Sequence, residues 1–232
     1  MLLAGALLAF ADAVSQGALI TFTDRPTWLA AVGPLSFVED FQSYAADVSF
    51  QTASFGAQGF SIQQEGTNQN FRNQLDVVPL GFSDFNGTNS LSLFTNSEEP
   101  GTPATTVRLT FGASNTAFGG ESFQSGALEG AVVDIYNGAT LLGSIAISNT
   151  LGGSFLGYRL TGGDIATSLV FRSSSLAPGG GGEGFGFDNI AGVNAAVIVA
   201  APVPEPTTAL FGAALLGMVG LSRRRSGAAA QV

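Results

Sequence analysis

Ala131-Val132-Val133-Asp134-Ile135-Tyr136-Asn137-Gly138-Ala139-Thr140-Leu141-Leu142-Gly143-Ser144-Ile145-Ala146-Ile147 reads as two short strands joined by Asn137-Gly138. Both central residues of a type I′ turn need positive φ, and Asn-Gly supplies them, which makes this the clearest hairpin signal in the chain. Outward from it, further strands are expected at residues 20–23, 36–41, 59–63, 76–80, 90–94 and 105–111 on one side. On the other side they are expected at 154–160, 166–172 and 184–193, separated by Gly152-Gly153, Gly162-Gly163 and the run 178–182. One short helix is predicted through Trp28 to Val32, capped by Asp24 and ended by Gly33-Pro34.

That many short strands at such spacing predict an all-β domain. The expected architecture is a two-sheet antiparallel β-sandwich of jelly-roll type, with an N-terminal signal segment and a C-terminal apolar helix. The 232 residues suit one sizeable core rather than two. Composition agrees, since 32 Gly and 19 Phe against 11% charged residues fit neither a helical enzyme nor a disordered chain.

Every one of the eight basic residues is Arg. Setting aside both ends removes Asp12 and Glu205 from the 17 acids and Arg223 to Arg225 from the 8 bases, leaving 15 against 5, or about −10. A body so acidic repels nucleic acid and anionic lipid, while metal cations and neutral glycans remain open as partners. With no Cys there is no disulfide framework, and with no His the usual general base and the commonest zinc ligand are both missing.

The termini speak to compartment. Met1 to Ala13 is nearly continuous apolar sequence ending in Ala11-Asp12-Ala13, an A-x-A pattern of the kind cut by a signal peptidase, although no charged residue lies in the first ten. At the other end Val203-Pro204-Glu205-Pro206 precedes an apolar stretch, Thr207 to Leu221, and then Ser222-Arg223-Arg224-Arg225. Prolines forbid a continuing helix or strand, the apolar stretch can enter a membrane, and an Arg cluster stays on the cytoplasmic side. The stretch is slightly short for a spanning helix and needs snorkelling Arg or a thin bilayer.

This order closely resembles the PEP-CTERM sorting signal of Gram-negative bacteria. The resemblance implies an exosortase as partner, a membrane anchor through the C-terminal helix, and processing at Val203 to Pro206 that leaves the body at the cell surface or outside the cell. Family tails end soon after the Arg cluster, whereas Ser226 to Val232 extend beyond it here. The expected organisation is a signal peptide over 1–18, a β-sandwich body over 19–199, a linker with the Pro-Glu-Pro motif over 200–206, a sorting helix and Arg cluster over 207–225, and a tail over 226–232.

Within the body, three segments resemble jelly-roll carbohydrate-binding and galactose-binding-like domains. They are Phe37-Val38-Glu39-Asp40-Phe41, the stretch from Asn86-Gly87 to Leu93, and Gly184-Phe185-Gly186-Phe187-Asp188-Asn189-Ile190. In such domains early and late carboxylates with loop carbonyls hold a structural calcium. Carried over, the ligands are Glu39 or Asp40, the loop at Asn86 and Gly87, and Asp188. Calcium takes six to eight hard oxygen ligands, so the chemistry is reasonable. In a domain this acidic the same residues also read as solvated acids at strand ends.

Other motifs carry less. Gly179-x-Gly181-x-x-Gly184 matches a dinucleotide pattern by letter, but Gly184 to Asp188 reads as a strand rather than a helix whose N-terminus could hold pyrophosphate. Trp28, Tyr44, Tyr136 and Tyr158 could stack on sugar rings or pack the core. Two functions stay open. One is a non-catalytic surface or matrix protein binding glycan or exopolysaccharide; the other is a secreted polysaccharide hydrolase using two of Glu39, Asp40, Glu121, Glu129, Asp134 and Glu183.

Overall fold

The structure is a computed structural model, and it describes residues 17–66, 73–77, 88–95, 104–124, 131–147, 153–173 and 183–196. The chain divides at Ala195, and every described element lies in the first unit. The protein is mostly β, with one short helix and a large antiparallel sheet. In chain order the elements are β1 (Leu19–Phe22), α1 (Arg25–Val32), β2 (Phe37–Glu39), β3 (Val48–Ser49), β4 (Phe55–Ala57), β5 (Phe60–Glu65) and β6 (Gln74–Asp76). After these come β7 (Ser90–Thr95), β8 (Thr106–Gln124), β9 (Ala131–Asn137), β10 (Thr140–Ala146), β11 (Ser154–Leu160), β12 (Ala166–Ser173) and β13 (Glu183–Asn194).

β8 organises the whole. Its first half pairs with β5 on one side and β12 on the other, and β12 continues through β9 to β10. Its second half pairs with β11, which carries β1, and with β13, whose far edge is taken by β7 and then β2. The two halves are separated by a wide bulge, because Ala166 faces Asn115 while Ser168 faces Thr110. Such an insertion bends a strand and re-aims its second half, so one 19-residue strand serves two wings of sheet.

Each wing shows the alternation of a half-buried strand. Across the first, Ile62, Leu109, Leu169 and Ile135 form a cross-strand row of buried apolar side chains. Their neighbours on the other face are polar: Arg108 pairs with Glu65, and Arg172 with Asp134, whose carboxylate also accepts from Ser144. Across the second, Leu75, Leu91 and Phe187 face the main core. The opposite face carries α1, whose Trp28 packs with Ala117 and Ala191 in a satellite cluster.

The helix forms where expected. Asp24 accepts from the Thr27 amide at 2.8 Å, hydrogen bonds from the Thr27 side chain and then its amide lower the Asp24 carboxyl from its ordinary value, Pro26 is tolerated in the first turn, and Gly33 stops the helix at φ 78°. The 131–147 hairpin is present, with a different turn. Asn137 pairs with Thr140, the loop is Gly138-Ala139, and Gly138 alone of the loop residues has positive φ, at 57°. Glycine at the first loop position is what a type II′ turn requires, so type I′ is corrected. The strand expected at 76–80 is instead Gln74–Asp76, residues 78–80 lying outside the described part. β8 runs 13 residues beyond its expected end at Phe111, and β3 and β4 have no counterpart among the expected strands.

Candidate functional site

Three segments meet along one edge. Thr21, Phe22 and Thr23 come from the end of β1, Ile145 and Ala146 end β10, and Ser154, Phe155 and Leu156 open β11; together they line a groove of about 310 Å³. That is the small end of the size range for ligand sites. β1 and β10 are each paired on one side within the network, so the groove is bounded by two strand edges. Farther along β1, Leu19 packs over Gly143 of β10, where an added Cβ would lie 2.6 Å from Leu19 Cδ2.

Phe155 is one of the lining residues. Its ring meets Trp28 at 5.6 Å between centroids, and the Arg25 guanidinium sits 5.5 Å over it. Gly119 and Gly157, cross-strand partners, make room for both rings, since a Cβ at either would lie within 3 Å of Phe155. The Trp28 indole N–H donates to the Tyr158 carbonyl at 3.0 Å, fixing the helix on the sheet. The lining thus combines the aromatic residues Phe22 and Phe155 with Thr21, Thr23 and Ser154, and it includes no charged residue.

From Phe155 a polar row crosses the same face. Glu121 lies opposite Phe155 on β8 and opposite Asp188 on β13. Asn189, in a left-handed bulge at φ 50°, donates from its amide to Glu121 at 3.1 Å and to Asp188 at 3.3 Å. Arg25 pairs with Glu121 at 3.5 Å and donates to the Asn189 carbonyl. The buried Asp188 also accepts from the Thr88 hydroxyl at 2.9 Å and the Asn189 amide nitrogen at 2.6 Å.

Of the residues singled out from sequence, Glu39 is 6% exposed and accepts from the backbone of Phe41 at 2.8 Å and of Gln58 at 3.0 Å. It stands opposite Ile190, a core residue, and so faces the main core, whereas Asp188 shares the outer face with Glu121. Asp40 is exposed and accepts from the Gln42 amide. Asn86 and Gly87 lie outside the described residues, but Thr88 and Asn89 do reach the other two segments: Asn89 donates to the carbonyls of Phe41 and Tyr44. The three resembling segments thus meet, yet Glu39 and Asp188 point to opposite faces with N–H and O–H donors on their oxygens. That donor set does not fit one shared calcium ion.

Among the possible hydrolytic carboxylates, Glu121 and Asp134 are paired with Arg25 and Arg172; Glu129 and the Glu183 side chain lie outside the described part. Trp28 and Tyr158 are fully buried, and Tyr44 packs between Phe41 and Phe55, so these three serve the core. Half-buried Tyr136 lies beneath Arg108. Gly184 pairs with Phe94 inside β13, so the last glycine of the dinucleotide-like pattern is in a strand. The sorting motif, Val203 to Pro206 and Arg223 to Arg225, lies outside the described residues, as does most of the expected signal segment. Among the described residues no helix is long and apolar enough to cross a membrane.

No protein-family model matches the chain, and no curated protein matches its sequence.

Proposed function

We propose that this chain is an exported bacterial protein, sorted by an exosortase to the cell surface or extracellular matrix, whose body is a non-catalytic jelly-roll sandwich that binds neutral glycan. Export and sorting rest on the order of Pro204-Glu205-Pro206, the apolar run and the Arg cluster. The two-layer reading is supported by ring contacts between strands that do not pair with each other. Phe171 of β12 meets Phe187 of β13 at 5.5 Å, and Phe37 of β2 meets Phe60 of β5 at 6.2 Å. Such contacts are what two wings folded face to face produce.

The groove lined by Phe22 and Phe155 carries the binding proposal. A sugar ring has apolar C–H faces and a rim of hydroxyls, which a lining of Phe22 and Phe155 with Thr21, Thr23 and Ser154 complements in kind. An uncharged lining in an acidic protein favours a neutral ligand over an anionic one. Hydroxyls and hydrocarbons also lack the facing carboxylates that glycoside hydrolysis uses.

The test is a glycan array and a hydrolysis screen with the full chain and its Phe22→Ala and Phe155→Ala variants. Binding of neutral glycans, weakened at least about tenfold in either variant whose melt stays cooperative, and no sugar release are expected. Binding confined to anionic glycans, or unchanged in both variants, overturns the groove.

A further inference from the structure

The groove offers more than side chains, because it opens where two β-ladders stop. The Thr161 N–H donates to the Ala18 carbonyl at 3.1 Å, and the same register runs on through Ile20 with Arg159 to Phe22 with Gly157. Antiparallel pairs alternate between bonded and non-bonded, so Ala18, Ile20 and Phe22 bond toward β11 and the main chain of Thr21 faces away from it. The alternation carries along β11 as well. Gly157 turns its N–H and C=O toward β1, and Phe155, two residues earlier, turns its own the same way. The β1 ladder ends at Phe22, which leaves Phe155 without a strand partner on that side.

β10 repeats the arrangement at its own edge. The Ile147 N–H donates to the Ala131 carbonyl at 2.8 Å, and one step back Ala146 stands opposite Val132. Ala146 is therefore a non-bonded position whose N–H and C=O face away from β9, on the open side of β10. Thr21, Phe155 and Ala146 all line the groove. Among the described residues, no hydrogen bond takes the main-chain N–H or C=O of any of the three.

We propose, resting on the glycan reading of the groove, that these three main-chain positions supply its hydrogen bonds and select sugars whose hydroxyls are free and unsubstituted. Each position presents one donor and one acceptor on the same edge. A sugar hydroxyl is both donor and acceptor, so neighbouring hydroxyls of one ring satisfy such a pair. A methyl ether at the same oxygen keeps the acceptor and loses the donor, which leaves a strand carbonyl unmatched and sets a methyl against the edge. An added β-strand is the other natural partner of a free edge, but it pairs with alternate residues along one strand. The groove draws one such residue from each of three strands, which suits a compact ring with hydroxyls around its rim.

Titration calorimetry with the full chain decides it, using neutral gluco-, galacto- and manno-oligosaccharides and their fully O-methylated counterparts. Methylation is expected to cost the oligomer that binds at least about tenfold in affinity. Thr21→Pro and Ala146→Pro each delete an N–H that belongs to no ladder, so the melt should stay cooperative while affinity falls at least about tenfold. The methylation comparison needs no variant and holds even where a proline variant fails to fold. Equal affinity for methylated and unmodified oligomers, or unaltered affinity in both folded proline variants, overturns main-chain recognition. Loss in Phe155→Ala alone then leaves the glycan groove standing. Failure of every unmodified oligomer to bind overturns both.

Discussion

The ring of Phe187 lies directly against Gly120, so close that a Cβ on Gly120 would sit 2.7 Å from its Cε1 and 2.8 Å from its Cζ. The ring has nowhere to go. It is fully buried, stacked on Phe118 at 5.9 Å with the planes 7° apart, and met edge-on by Phe171. The glycine is what lets the aromatic layer press onto β8.

Gly120→Ala is therefore expected to destabilise the fold by about 1–3 kcal/mol, the usual cost of overpacking a rigid core. Gly56→Ala is the matched control, because nothing lies within 4 Å of the Cβ it would add. It should fall within about ±0.5 kcal/mol, as surface substitutions do. Urea unfolding of both variants checks this, and equal effects would show that the Phe187 ring yields.

Burial pushes the Tyr158 hydroxyl well above its ordinary value, and it donates to Asn115 Oδ1 at 3.3 Å. The folded state then keeps a proton that the unfolded chain gives up near pH 10. Between that pH and the folded value the native state binds more protons, so stability is fully present below about pH 10 and falls as pH rises through the window. Tyr44 adds to this limb in the same direction, first through burial and then through Glu39. Tyr158→Phe should flatten the alkaline fall in melting temperature, and parallel pH profiles for the two proteins would refute the assignment.

Much of the strand layout is legible because local signals agree with the final register. Asp24 and Gly33 bracket a helix by capping chemistry alone, and the breaks at Gly152-Gly153 and Gly162-Gly163 bound β11 and β12. The second half of β8 is not legible. Gly119 and Gly120 weaken a strand by themselves, and their reason for being in one is the ring that each admits from another element. The groove is hidden for a related cause: Thr21 to Thr23, Ile145-Ala146 and Ser154 to Leu156 are brought together by register and not by spacing in the chain. Trp28 and Tyr158 are candidates for sugar stacking by residue type, but their faces can be assigned only once the helix is laid on the sheet.

Sorting gives the last prediction, and it is independent of the fold. Under the proposed sorting, the apolar run between Pro204-Glu205-Pro206 and Arg223-Arg224-Arg225 would be only partly translocated, with the body passing outward and the arginines held back. Cleavage at the Pro-Glu-Pro would free the body from an anchor that is itself short for the bilayer. In a host with an exosortase, the exported protein should lack everything beyond Val203 to Pro206, and intact-mass analysis should show that truncated species as the main one. Replacing Pro204-Glu205-Pro206 with alanines should leave the full-length tail in the membrane fraction. Exported protein that still carries Arg223 to Arg225 in its main species would refute processing, and a protein found unexported in the cytoplasm would refute the whole reading of the termini.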